Sequence, residues 1–175
     1  VTTSRPDDVD SRSAPIHRHW LGFDDIEAGA WLNFESVAMQ LHDVVNRGLV
    51  RTHRLTLTDV QMLAYLKHRG PSPMGAIAET LMVTPGALTQ QAQRLERRRL
   101  VQRRAAKDDG RRVMAMLTLT GARSLAAALE TYSRLVRTHF LNELSRPQMI
   151  ALGDSCRRIN ARLSGFDSSP DAVGS

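Results

Sequence analysis

The chain has 175 residues, 42% hydrophobic and 24% charged, with a formal net charge of +6. That is the balance of a single soluble globular domain with an anionic partner such as nucleic acid, and no apolar run reaches the roughly 18 residues of a membrane span. One cysteine, Cys156, excludes an intrachain disulfide and fits a reducing, cytoplasmic location; no signal-peptide segment is expected at the start. Aromatics make up only 5%, so the core must be built from Leu, Val, Ala and Met.

Residues 1–19 are polar, with Pro and Ser, and read as a disordered arm; residues 165–175 read as a flexible tail. A first helix is expected from about Asp24 to Arg51. Trp31, Phe34, Ala38, Leu41, Val45 and Gly48 recur on one of its faces. It dominates an N-terminal segment, 20–56. A second helix is expected after Thr58, a good N-cap, and runs to about His68. "RGPSP" forces a break, and Ser72 within it counts among the candidate DNA contacts. A short helix follows, with Ile77, Ala78 and Leu81 turned inward.

Thr84 and Pro85 then open a helix as N-cap and first residue. Leu88, Ala92 and Leu95 face the core. The outward side carries Gly86, Ala87, Thr89, Gln90, Gln93, Arg94 and Arg97. Gln bonds adenine at two points and Arg bonds guanine likewise in a major groove. The helix N-terminus offers free N–H groups to phosphate, and small residues there permit close approach. A solvated helix face would show polar residues too. Charge separates the two readings: residues 84–112 hold nine bases and three acids, as much net charge as the whole chain.

After Leu100 the period changes to two. "LVQRR" and the alternation from Val113 to Leu119 read as paired strands, with Asp109-Gly110 as the turn. Helix, helix, short helix, recognition helix and hairpin make a winged helix-turn-helix over residues 57–119. Apolar residues from Leu125 to Leu144 keep helical spacing between about Thr120 and Leu144. Ser145 and Gln148 then form an S-x-x-Q capping pattern. Met149, Leu152, Cys156, Ile159 and Leu163 make one apolar seam on the last helix. It either packs within the chain or forms a two-fold interface, so residues 120–164 are expected to serve dimerisation. The expected fold class is mainly α: a winged helix-turn-helix with a two-stranded β wing and flanking dimerisation helices.

The stretch 77–121 resembles the MarR family of bacterial transcription regulators. The resemblance lies in Ile77-Ala78, Thr84-Pro85, Thr89, Leu95-Glu96, Leu100-Val101, Asp109-x-Arg111 and L-T-x-x-G ending at Gly121. It takes in residues 25–163 through the amphipathic pattern of the flanking helices. The chain departs from the family at Gln90 and Gln93, where Arg and Asp are frequent. The resemblance implies a homodimer on double-stranded DNA with a palindromic operator, often a repressor, released by a small lipophilic or phenolic effector. It implies that Arg111, beside Arg112, enters the minor groove, and that Asp109 orients it while Gly110 makes the turn. Asp109 as a plain turn-former remains the other reading, and Asp108 reads as solvated. The interface would draw on the first, fifth and sixth helices. No residue is assigned to the effector.

Other classes find less support. Cys156 sits in the apolar seam as a small hydrophobe, against a redox-sensing role. His17-x-His19 and the scattered His42, His53, His68 and His139 lack metal-ligand spacing, so a metal-responsive regulator is disfavoured and no metal or cofactor is expected. No GxSxG, P-loop, HExxH or dinucleotide fingerprint points to an enzyme. A helical protein-interaction adaptor with a basic face is the remaining non-enzymatic alternative.

Overall fold

The computed structural model describes residues 22–105 and 113–166. Packing separates residues up to Gln40 from those beginning at Leu41. The first helix, α1 (Asp25–His53), belongs to both.

In the first unit α1 opens on a reciprocal cap. Asp24 Oδ1 accepts the N–H groups of Ile26 and Glu27, both at 2.8 Å, and Glu27 Oε2 accepts that of Asp24. Trp31 and Phe34, whose ring centroids lie 6.3 Å apart with the planes tilted by 38°, remain exposed.

The second unit holds the core, around Leu49, Leu55, Met62, Leu63, Ile77, Leu88 and Leu95. Here α1 keeps its expected inward face through Val45 and Gly48. A Cβ at Gly48 would run into Leu135 Cδ1, so glycine lets the fifth helix lie close. The next helix, α2 (Leu57–Arg69), is capped by Thr56 and not by the expected Thr58. Asp59 decides this: its carboxylate accepts the Thr56 N–H at 3.0 Å while its own N–H donates to Thr56 Oγ1. Leu57 N–H also has a partner, Asn46 Oδ1 on α1.

The break at "RGPSP" forms a two-residue strand, β1 (Ser72–Pro73), before α3 (Met74–Thr80). Ile77 and Ala78 are buried as expected. Then α4 (Pro85–Arg97) starts at Thr84, whose Oγ1 accepts the Ala87 N–H at 3.2 Å. Strands β2 (Val101–Ala105) and β3 (Val113–Leu117) pair antiparallel with Arg103 opposite Ala115. β1 joins on the other side of β3, Ser72 opposite Ala115. The expected two-strand wing is therefore part of a three-stranded sheet, in the order β1-β3-β2. Ala115 is the one fully buried residue of β3.

The alternation does not run on to Leu119, because Thr118 caps α5 (Leu119–His139) and leaves Leu119 in an exposed first turn. Thr118 Oγ1 donates to the Arg99 carbonyl at 2.7 Å and accepts the Gly121 N–H at 2.9 Å. Helix α5 buries Leu125, Ala128, Thr131 and Leu135. It ends at His139, not near Leu144 as expected. Phe140 leaves helical backbone, with φ −141°, and a short 3-10 turn (Leu141–Glu143) leads to extended Leu144. The competing signal is the next cap: Ser145 N–H donates to Gln148 Oε1, opening α6 (Arg146–Phe166).

Candidate nucleic-acid interface

Every residue proposed for the outward side of α4 is exposed: Thr84, Pro85, Gly86, Ala87, Thr89, Gln90, Gln93, Arg94 and Arg97. Leu88, Ala92 and Leu95 hold the opposite side in the core. Gln91 is buried with them, its Nε2 without a partner among the described residues. The first turn carries no acid; Pro85 has no N–H and Thr84 Oγ1 takes that of Ala87, so the Gly86 N–H and the positive end of the helix dipole are what favour an anion there. Thr89 Oγ1 donates to the Pro85 carbonyl at 2.8 Å, which leaves its lone pairs to accept. Ser72 is not brought to this face. It is buried in β1, and its hydroxyl donates to the Gly70 carbonyl at 3.0 Å.

The basic run is of two kinds, which the sequence does not distinguish. Three arginines are committed within the chain. Arg94 Nη2 lies 2.9 Å from Asp59 Oδ1. Arg98 donates to the carbonyls of Arg54 and His53, the last of α1. Arg103 forks onto Glu96, with Nη2 at 2.7 Å and Nε at 2.8 Å from Oε2. The side chains of Arg97, Arg99 and Arg104 have no hydrogen bond or ion pair among the described residues. Lys107, Asp108, Asp109, Gly110, Arg111 and Arg112, expected at the wing, lie outside the described residues.

Glu96 is the one acid of α4, and it is neutralised in place. Its Oε1 also accepts the Arg103 backbone N–H at 2.9 Å. That bond, together with the Arg103 guanidinium, holds its carboxyl below the usual value against the opposing effect of burial. The helix therefore presents amides, a hydroxyl and guanidinium groups with no uncompensated carboxylate.

Asp59 is a residue that sequence reasoning missed. Thr56-x-x-Asp59 is a capping-box spelling that was there to be read. Nothing local signals its second partner, Arg94, 35 residues away.

On the seam of α6, Met149, Leu152 and Cys156 are half-buried, while Ile159 and Leu163 are 57% and 60% exposed. The chain's own packing thus leaves much of this seam uncovered. No group of three or more His, Cys, Asp or Glu among the described residues is placed to hold a metal ion, and no described helix is long and apolar enough to cross a membrane.

Three helices ending in an exposed helix, followed by an antiparallel hairpin, define a winged helix-turn-helix protein. Residues 53–112 match the sequence model of the MarR family. The fold around that stretch is similar to that of solved MarR-family transcriptional regulators. AbsC, a MarR family transcriptional regulator from Streptomyces coelicolor, superposes with a TM-score of 0.73 at 26% identity, covering 82% of this chain and 97% of its own. Sco3205 from the same organism, a MarR family regulator solved in complex with DNA, gives 0.73 at 24%, covering 79% and 88%. Bordetella bronchiseptica BpsR, whose DNA binding is regulated by 6-hydroxynicotinic acid, gives 0.67 at 14%, covering 75% and 98%. Among curated proteins no sequence matches the chain.

Proposed function

We propose that this protein binds a palindromic operator as a homodimer and represses transcription until a small lipophilic or phenolic effector releases it. The observation that carries the reading is the face of α4. Gly86, Thr89, Gln90, Gln93 and Arg97 lie exposed together, and the helix's one acid is occupied by Arg103. Such a face suits base edges and phosphates in a major groove. In this reading Arg111 and Arg112 extend the contact from the wing, with Asp109 orienting Arg111 and Gly110 permitting the turn.

A palindromic site needs a two-fold symmetric protein. The seam of Met149, Leu152, Cys156, Ile159 and Leu163 supports this, since a second copy would cover what the chain leaves open. Ligand release is suggested by BpsR, a protein of similar fold. Action on DNA in this form is cytoplasmic.

Footprinting on the promoter beside the protein's own gene tests the reading. Two protected half-sites about ten base pairs apart, centre to centre, are expected. Arg111→Ala should weaken binding and lower the salt slope by about one. Equal affinity for any duplex would overturn the reading.

A further inference from the structure

We propose that Asp59 is a positioning residue for DNA recognition: from the N-terminus of α2 it holds the Arg94 guanidinium in place on the outward face of α4. The inference rests on the DNA-binding reading above and adds a residue to it.

Asp59 is 1% exposed, yet its partner Arg94 stands on the exposed face of α4. A carboxylate withdrawn from water is unfavourable unless its oxygens are bonded and its charge is met. Oδ2 takes the Thr56 N–H, which completes the helix cap. Oδ1 takes Arg94 Nη2 at 2.9 Å. The cap alone asks only for one acceptor oxygen, and neutral Asn would supply it. The second oxygen, shut from water, is met by Arg94.

The arginine is the other half of the argument. Its side chain is 47% exposed, and among the described residues only Nη2 is engaged. Nε and Nη1 keep their N–H groups for an outside partner. Gln90 lies four residues before it and Arg97 three after, so all three share one helix face. A free arginine on that face would lose its rotamer freedom on docking to DNA. One already tied to a buried carboxylate has lost it on folding, and the bound complex gains by the difference.

Positioning and plain charge predict opposite signs. Asp59→Asn removes a negative charge near the DNA face. By electrostatics alone it should tighten binding to every duplex. If Asp59 acts through Arg94, operator affinity should fall about tenfold while binding to random duplex holds or rises. Arg94→Lys is the companion variant. It keeps a cation opposite Asp59 but removes the planar fork. It should keep the wild-type melting temperature and also lose about tenfold in operator affinity.

Filter binding of full-length wild type and both variants, on operator and on random duplex, makes the test, with thermal melts run beside it. Operator affinity equal to or above wild type in Asp59→Asn overturns the proposal. So does an equal loss on both duplexes accompanied by a lower melting temperature, which is damage to the fold. If Asp59→Asn does not fold, Arg94→Lys decides: wild-type operator affinity overturns, and selective loss supports. Wild-type protein that protects no operator sinks the DNA reading itself. An operator bound by wild type with both variants indifferent sinks only this inference.

Discussion

A methyl group at position 121 would run into the carbonyl oxygen of Leu100. It would also sit 2.8 Å from Leu117 Cδ1. The backbone oxygen cannot swing away, since Thr118 N–H donates to it at 3.1 Å. Gly121→Ala should therefore destabilise the fold by about 3 kcal/mol through overpacking, measured by urea unfolding. A loss below about 0.5 kcal/mol would mean that the turn relaxes freely. The glycine is visible in the sequence as the end of L-T-x-x-G, but its reason is not, because Leu100 lies 21 residues earlier. Thr84 and Pro85 were legible because a cap and a first helical residue act within one turn. Arg94 and Arg98 read alike as surface cations. Only the folded chain shows one held by a buried carboxylate and the other bonded to the end of α1.

Between elements, Glu96 and Arg103 fasten α4 to β2. The carboxylate meets both a backbone N–H and a guanidinium of the first wing strand. Since folding lowers the Glu96 pKa, the pair contributes stability above the unfolded carboxylate value. That contribution disappears as pH falls through the folded value. Glu96→Gln should be less stable than wild type at neutral pH, and the gap should close on acidification. Denaturant midpoints at neutral and acid pH check this, and a gap that does not change with pH would sink it. At this scale the helix and strand order was legible, since each has its own apolar period. Three boundaries were not. Thr58 looks as good a cap as Thr56 until Asp59 chooses. The period of α5 continues on paper through Phe140 and Leu144, although the chain turns there. Two residues, Ser72 and Pro73, are too few to show a strand period at all.

For the molecule as a whole, the exposed seam of α6 sets the clearest expectation. Ile159 and Leu163 are more than half exposed, so a charge at either leaves the fold of one chain intact. In a dimer built on this seam the same charge would be buried without a partner. Leu163→Glu should weaken association roughly a hundredfold with helix content unchanged. Sedimentation at micromolar concentration reads this, and a variant that sediments like wild type would move the interface elsewhere. The seam itself was plain in the sequence. What periodicity could not tell was whether the chain would cover it. The small sheet has a consequence of another kind. On one side it ends in a two-residue strand whose Pro73 offers no N–H, and on the other in β2, which carries Arg103 and Arg104. Neither border is a good template for a strand from another molecule. Edge-to-edge aggregation of copies is thus disfavoured even where they are crowded together.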